Sequence, residues 1–215
     1  MREAVVLGTG GHARVVLSIL AACGDRTVLG AIDLGTPREG EQLLGVPVIG
    51  GREALERLRG QDQVDLFLAI GDNGDRRRWW EEGRAMGLAL PTLVSPHAIV
   101  DVTARIGGAV IICARAFVGP DAVIGDNVLL NTASIVEHES VVGSHSHLAP
   151  SATLAGRSRV GGGCFVGAGA TIIDGVSVTD GVTIGAGAVV VRSIDEPGTY
   201  VGVPARAPSR RGNCG

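Results

Sequence analysis

The chain has 215 residues, with 45% hydrophobic residues, 3% aromatic residues and 34 glycines. This length fits one or two small domains, and scarce aromatics with abundant glycine favour a thin interior and frequent tight turns. A formal net charge of -3 offers no basic surface for nucleic acid or an anionic membrane, and no apolar run reaches the roughly 20 residues of a membrane span.

The cysteines and the first residues bear on the compartment. Cys23, Cys113, Cys164 and Cys214 show no CxxC spacing, so we expect free thiols in a reducing compartment. Met1 is followed at once by charged residues and then by a strand pattern, which argues against a signal peptide. These features predict a cytoplasmic protein.

The first 95 residues alternate strand patterns with helix patterns. Buried or alternating apolar runs predict strands, and apolar residues at helical spacing predict helices. The predicted strands are 3–8, 27–33, 64–72 and 89–95, and the predicted helices are 11–24, 52–60 and 75–87. Strands that alternate with helices predict a small parallel sheet, here a Rossmann-like βαβ domain over residues 1–95.

A six-residue repeat replaces this pattern in the second half. An aliphatic residue recurs at every sixth position from Val100 to Val190, and a small residue or valine follows four positions after each of the first fifteen. Such a repeat is typical of a parallel β-helix, in which three hexapeptides form the three sides of one coil. At about 4.8 Å between stacked strands, five coils make a prism roughly 24 Å tall.

The stretch "NTASIVEHES", residues 131–140, places two ionisable side chains on this prism. His138 and Gly156 are separated by three hexapeptides, so they stack on the same side of successive coils. A base beside an exposed backbone N–H could flank a thioester carbonyl, as acyl transfer requires. Glu139 stacks against Arg157 and could pair with it or accept from the imidazole. The alternative is that His138 and Glu139 are solvated turn residues.

Three histidines within ten residues raise the possibility of a metal site. Some hexapeptide β-helices are zinc-dependent carbonic anhydrases. His145 and His147 lie on the next side of the prism from His138, however, so a site with three histidine ligands would need a neighbouring subunit. We therefore predict no metal.

A glycine-rich turn, "GTGGHA" at residues 8–13, follows the first strand and opens a helix. With Asp33 at the end of the second strand, it resembles a dinucleotide fingerprint. Fewer than a hundred residues do not hold two mononucleotide halves, so a single nucleotide diphosphate joined to a small group fits better. The stretch "IGDNGDRRR", residues 70–78, places polar groups at the same sheet edge. The alternative is a tight turn without a ligand.

The stretches "GTGGHARVV", "AIGDN", "NTASIVEHES", "HLAPSATLAG", "VGAGATI" and "VGVPAR" together resemble the bacterial PglD/NeuD-type sugar acyltransferases across nearly the whole chain. The resemblance implies a nucleotide-sugar-binding domain over residues 1–95. It also implies a left-handed β-helix over residues 96–215, ending in a C-terminal tail. It further implies a homotrimer with acetyl-CoA lying between adjacent prisms and the acceptor bridging subunits.

The resemblance also implies roles for individual residues. His138 matches the general base and Glu139 its partner. The residues matched to the oxyanion and acetyl-CoA site are Gly156, whose amide meets the acetyl carbonyl, with Asn131, His147, Ala168 and Ala186. Those matched to the nucleotide sugar are Gly8, Gly10, Gly11 and His12 at the diphosphate, Asp33 near the base or ribose, and Asp72 and Asn73 near the sugar. Asp72 stands where some relatives have asparagine.

These expectations combine into one function. The chain is predicted to be an acetyl-CoA-dependent N-acetyltransferase that acts on the 4-amino group of a UDP- or GDP-linked amino-deoxy sugar, in polysaccharide or glycan biosynthesis. The alternatives are a sugar O-acetyltransferase of the sialic acid type and a trimeric binding module without catalysis. The choice of base, the stereochemistry of the sugar and the pathway product stay open at this point.

Overall fold

The computed structural model describes residues 1–35 and 39–208. Its N-terminal unit comprises β1 (Arg2–Leu7), α1 (Gly11–Cys23), β2 (Arg26–Ile32), β3 (Gln42–Leu43), β4 (Val46–Gly50), α2 (Arg52–Glu56), β5 (Val64–Leu68) and α3 (Asn73–Ala85). The strand order is β3-β4-β2-β1-β5, and every pair is parallel except β3 with β4. The predicted alternation of strands and helices is confirmed.

Helices cover both faces of this sheet. Val16 and Leu20 of α1 belong to one apolar cluster, whereas Leu55 of α2 and Trp79 of α3 belong to another. Burial on both sides explains why β5 is apolar at almost every position, since a parallel sheet covered by helices exposes neither face. The exception is Asp65, a buried carboxylate held by two arginines of β1 and β2.

The second unit is a three-sided prism of short strands. The junction face, which meets the N-terminal unit, consists of β6 (Leu93–Val94), β9 (Ile111–Ile112), β12 (Leu129–Leu130), β15 (His147–Leu148), β18 (Phe165–Val166), β21 (Val182–Ile184) and β23 (Gly198–Tyr200). The second face consists of β7 (Ile99–Val100), β10 (Phe117–Val118), β13 (Ile135–Val136), β16 (Thr153–Leu154), β19 (Thr171–Ile172) and β22 (Val189–Val190). The third face consists of β8 (Arg105–Ile106), β11 (Val123–Ile124), β14 (Val141–Val142), β17 (Arg159–Val160) and β20 (Ser177–Val178).

The repeat fixes both the register and the interior of the prism. Most strands of a face pair in parallel with the strand one coil further on, as Ile135 does with Thr153. The recurrent aliphatic side chains point inward and are buried, apart from the partly buried Val100 and Ile106, and small residues such as Ala152 and Ser140 fill the corners. The structure is the predicted left-handed parallel β-helix.

Residues at the turns between faces stack in three rows, which we name here. The His138 corner, between the second and third faces, contains His138, Gly156 and Asp174. The Asp126 corner, between the third face and the junction face, contains Gly108, Asp126, Ser144, Gly162 and Asp180. The Ala168 corner, between the junction face and the second face, contains Thr132, Pro150, Ala168 and Ala186.

One strand was assigned to the wrong sheet by the sequence patterns. Within residues 89–95, only Leu93–Val94 forms a strand, and this strand pairs with β9 of the prism. Leu93 lies one full coil before its partner Ile111, so the coil spacing already holds here, before the first repeat recognised at Val100. Ala89 alone makes an isolated bridge to Asp65 of the sheet.

Other element boundaries shift by a few residues. Helix α2 ends at Glu56 and continues as turns, and β5 ends at Leu68 rather than at residue 72. Helix α3 begins at Asn73, slightly before the predicted start at residue 75, because the Asp72 side chain accepts a hydrogen bond from the Asp75 N–H at 2.8 Å. Among the helices of the described residues, none is long and apolar enough to cross a membrane.

Candidate active site

His138 and Glu139 lie together in the turn between β13 and β14. The His138 Nδ1 is 3.2 Å from the Glu139 Oε2, and the two side chains are 46% and 57% exposed. A carboxylate at this distance accepts a hydrogen bond from the Nδ1–H group, so in this tautomer the lone pair of Nε2 is free to take a proton. Glu139 has a left-handed backbone, with φ 59°.

Gly156 lies directly against the imidazole, one coil further on. A Cβ atom built on Gly156 would be 2.5 Å from both Cε1 and Nε2 of His138, so only glycine fits under the ring in this position. Gly156 is a buried residue, yet no group in the described part of the chain accepts a hydrogen bond from its N–H. A base and an unpaired backbone donor therefore stand side by side.

The two partners considered for Glu139 are distinguished by the structure. Its carboxylate contacts the imidazole, whereas the Arg157 guanidinium forms an ion pair with Asp174. Arg157 continues the stack, because its N–H donates to the His138 carbonyl at 2.9 Å. The corner thus contains two separate acid–base pairs rather than one pair between successive coils.

His147 lies on the junction face, away from the His138 corner. Its Nδ1 is 3.2 Å from the Gly71 carbonyl, and its Nε2 is 3.3 Å from the Asn131 Nδ2. The carbonyl can only accept, so Nδ1 carries the proton and Nε2 accepts from Asn131. Burial, together with the nearby Arg76 charge, lowers the pKa of His147 to about 4. The ring is therefore neutral near pH 7 and joins the two units.

The glycine-rich turn joins β1 to α1. Gly8 has φ 113°, and a Cβ there would be 2.9 Å from the Ala69 carbonyl oxygen, so this glycine is required by the fold itself. Gly10 and Gly11 have no protein atom within 4 Å of a built Cβ. Gly10 is the N-cap of α1 and supplies no side-chain cap, so the helix N-terminus offers free N–H groups to an anion.

His12 differs from an exposed phosphate ligand. Its Nε2 is buried and has no hydrogen-bond partner in the part of the chain that the structure describes. Burial, with a smaller contribution from Arg76, lowers the pKa of His12 to about 4. A neutral imidazole in the first turn of α1 can donate or accept one hydrogen bond, but it adds no positive charge to this turn at pH 7.

The polar residues at the strand ends have structural partners. The Asp33 Oδ1 accepts from the Gly35 N–H at 2.8 Å, and Asp72 caps α3. Asn73 donates to the Cys164 carbonyl at 2.9 Å and accepts from Arg76 at 2.8 Å. Asp72 and Asn73 nevertheless line a cleft between the N-terminal unit and the prism, together with Gly71, Gly163, Phe165 and Thr183.

Ala168 and Ala186 lie at the Ala168 corner, and both are exposed. Asn131 borders the same corner, because it follows β12 and its Oδ1 accepts from the Thr132 N–H at 2.8 Å. The second face separates this group from His138 and Gly156. One chain therefore carries the predicted acetyl-CoA residues on two edges of one face and does not bring them together.

Arg76 was missed by the sequence patterns. It is 1% exposed and has no carboxylate partner in the described chain. It donates instead to carbonyl groups of both units and to the Asn73 side chain: Ile70, Gly71, Asp72, Asn127, His145 and Ser146 supply the carbonyls. Burial lowers its pKa to about 10, so it stays charged at pH 7. The run "DRRR" gives no signal that distinguishes Arg76 from its exposed neighbours.

Metal binding has no support in the described residues. No group of three or more His, Cys, Asp or Glu side chains is placed to hold a metal ion within residues 1–35 and 39–208. His145 packs edge-on against Trp80, and His147 packs edge-on against Phe165. The three histidines considered as ligands therefore face different surroundings.

Comparisons with known proteins cover nearly the whole chain. The PglD N-terminal domain family matches residues 3–82. The GDP-perosamine N-acetyltransferase of Caulobacter crescentus, solved with CoA and GDP-perosamine as a variant with one histidine replaced by alanine, is 38% identical. The alignment covers 97% of each chain with a TM-score of 0.91.

A second relative agrees with the first. The acetyltransferase domain of PglB from Neisseria gonorrhoeae is 36% identical, with 97% of this chain and 100% of that chain covered and a TM-score of 0.89. The same domain has been solved with acetyl coenzyme A. No curated protein matches the chain significantly.

Proposed function

Because the chain belongs to the family of PglD-like nucleotide-amino-sugar N-acetyltransferases, we propose that it transfers an acetyl group from acetyl-CoA to the 4-amino group of a nucleotide-linked amino-deoxy sugar. One observation carries the proposal. The His138 imidazole, oriented by Glu139, lies against Gly156, whose backbone N–H has no acceptor among the described residues. The solved relatives bind CoA or acetyl-CoA, and one of them binds GDP-perosamine.

The chemistry follows from the protonation of the pair. The neutral amine attacks the thioester carbonyl, and Nε2 of His138 takes the proton that the amine loses as the C–N bond forms. Glu139 stabilises the resulting imidazolium through Nδ1. The Gly156 N–H donates to the oxygen of the tetrahedral intermediate. The C–S bond then breaks, and the proton passes to the CoA thiolate, so no covalent enzyme intermediate is needed.

The N-terminal unit would hold the acceptor. Free N–H groups at the start of α1 suit a diphosphate, and Gly10 and Gly11 leave room for its oxygens. The cleft beside Asp72 and Asn73 would receive the sugar. A single nucleotide diphosphate fits this unit, because its sheet carries one such glycine-rich turn.

A homotrimer would complete the site. The His138 corner and the Ala168 corner are opposite edges of the second face, so a copy placed beside this face would bring one edge against the other. The outer side of this face carries Ile99, Phe117 and Ile135, which are exposed or partly exposed, as expected for a surface covered by another subunit. Acetyl-CoA would then lie between adjacent prisms.

The cytoplasm is the compartment that we propose for this reaction. Cys23, Cys113 and Cys164 are free thiols in the structure, and free thiols suit a reducing compartment. Cys214 lies outside the described residues.

The test is thiol release from acetyl-CoA with a panel of acceptors. We expect turnover with UDP- or GDP-linked 4-amino-deoxy sugars and none with the corresponding 4-hydroxy sugars. Omission of the acceptor provides the background rate. Turnover with sialic acid alone would indicate an O-acetyltransferase instead. Failure of every acceptor, with acetyl-CoA still bound, would favour a binding module and contradict the proposal.

A further inference from the structure

Side chains cap the backbone N–H groups along the Asp126 corner. Each cap comes from the residue that stacks on the donor in the next coil. The Gly108 N–H donates to the Asp126 Oδ1 at 2.7 Å, and the Gly162 N–H donates to the Asp180 Oδ1 at 2.7 Å. The Asp126 N–H donates to the Ser144 Oγ at 3.1 Å. At this corner, each aspartate that stacks one coil above a glycine accepts a hydrogen bond from the glycine N–H.

The His138 corner differs at Gly156, the proposed oxyanion donor. Asp174 stacks on Gly156 in the next coil, so it occupies the same place relative to Gly156 as Asp180 does relative to Gly162. The Gly156 N–H nevertheless has no acceptor among the described residues. Asp174 forms an ion pair with Arg157 instead. The Asp174 carboxylate could therefore cap the Gly156 N–H, but it is paired with Arg157.

A second difference lies in the residue before each donor. Glycine precedes every capped N–H of the Asp126 corner, at Gly107, Gly125 and Gly161. A Cβ at these positions would lie 2.6, 2.7 and 2.2 Å from the capping oxygen. Ala155 precedes Gly156. Its methyl group therefore fills the space that a capping carboxylate needs.

We propose that Ala155 and Arg157 are positioning residues that keep the Gly156 N–H free for the acyl oxygen. Ala155 excludes the Asp174 carboxylate sterically, and Arg157 holds it away by ion pairing. Without them, Asp174 would cap Gly156, because a charged carboxylate is a stronger acceptor than a neutral thioester carbonyl. This inference rests on the proposed function, in which the Gly156 N–H stabilises the oxyanion.

The experiment first replaces Ala155 and Arg157 and then also replaces Asp174. In Ala155→Gly/Arg157→Gln, turnover should fall about 10²-fold, the usual cost of losing one oxyanion donor. The Michaelis constant for the amino-sugar acceptor should change by less than about twofold, since the acceptor cleft is untouched. Adding Asp174→Ala should restore turnover to within about threefold of wild type, because nothing then competes for the donor.

The matched control is Arg159→Gln. Arg159 is a nearby exposed arginine on the outer side of β17, and it has no ion pair in the described chain. Its loss should leave turnover at the wild-type level. A crystal structure of the double variant should place an Asp174 oxygen within about 3.2 Å of the Gly156 nitrogen.

Every outcome bears on the inference. Wild-type turnover in the double variant overturns it, because the open donor then needs no protection. A loss that persists in the triple variant also overturns it and indicates a distorted corner. The proposed function is judged separately, by wild-type turnover and by His138→Ala. If His138→Ala is inactive as expected but Asp174→Ala gives no rescue, only the inference fails.

Discussion

The His138 corner and the junction between the two units both contain several polar side chains, but the two regions differ in whether those groups have hydrogen-bond partners within the protein. At the junction, Arg76 is fully buried, and its guanidinium is surrounded by carbonyl acceptors, while His147 has a partner at each ring nitrogen. At the corner, His138 is half exposed, its Nε2 is unpaired, and the Gly156 N–H has no acceptor in the described chain. Polar groups satisfied within the protein fix the architecture, whereas polar groups left open are available to a substrate.

The largest effect should come from the corner. His138→Ala should lower turnover by about 10²–10⁴-fold, because the general base is lost, while the midpoint of thermal unfolding stays within about 2 °C of wild type, as expected for an exposed side chain. His97→Ala is the matched control, since His97 is another exposed histidine of a prism turn. Steady-state kinetics of both variants with saturating substrates measure the effect. More than about a tenth of wild-type turnover in His138→Ala would make His138 a solvated turn residue.

At the junction the expected effect is on stability. Arg76→Met should lower the free energy of unfolding by about 3 kcal/mol, because several buried carbonyl groups lose their donor. Arg77→Met provides the comparison, because the neighbouring Arg77 is exposed and, among the described residues, forms an ion pair only with Glu81. Its loss should cost less than about 1 kcal/mol. Urea unfolding of both variants measures the difference, and equal losses would show that Arg76 does not join the units.

Two desolvated imidazoles, those of His12 and His147, should also make stability depend on pH. The pKa of His12 and that of His147 are each lowered to about 4 by burial, so below about pH 6.5 the unfolded chain takes up protons that the folded chain does not. Stability is therefore fully present above pH 6.5 and declines towards pH 4. Between pH 7 and pH 5 the loss is on the order of 2 kcal/mol for each imidazole.

His147→Gln tests this origin, because glutamine replaces the ring with a group that does not titrate. Its unfolding free energy should decline less steeply between pH 7 and pH 5 than that of wild type. His97→Gln again supplies the control for replacing an exposed histidine. Parallel slopes for wild type and His147→Gln would assign the pH dependence to other groups.

The smallest effect should come from Glu139. Glu139→Gln keeps a hydrogen-bond acceptor near Nδ1 but removes the charge that stabilises the imidazolium, so turnover should fall about tenfold. The Michaelis constant for acetyl-CoA should not change. Turnover of Glu139→Gln and of His138→Ala, measured side by side with saturating substrates, shows which loss is larger. A loss as large as that of His138→Ala would mean that Glu139 does more than orient the ring.

The hexapeptide repeat made much of this structure predictable. An uninterrupted period of six fixes which residues stack, so the approach of His138 to Gly156 followed from counting three repeats along the chain. The boundary strand at Leu93 was misassigned, because one isolated strand carries no period to recognise. The sequence did not reveal Arg76, since whether a helical arginine points to solvent or to a second unit depends on how the units dock. It also gave no warning that Asn73 and His147 have partners across that contact.

The turns of the prism change character along its length. From Ala109 to Arg157, every sixth residue is a non-glycine residue with a left-handed backbone, whereas from Gly163 to Gly187 the same position is always glycine. Each non-glycine residue in that conformation costs about 1 kcal/mol. The strained coils are the ones whose outer residues, Ile111 and Leu129, pack against the N-terminal unit. Packing against the N-terminal unit thus stabilises the strained coils. A prism separated from that unit would unfold first at its N-terminal end, while the coils with glycine at the corners stayed folded.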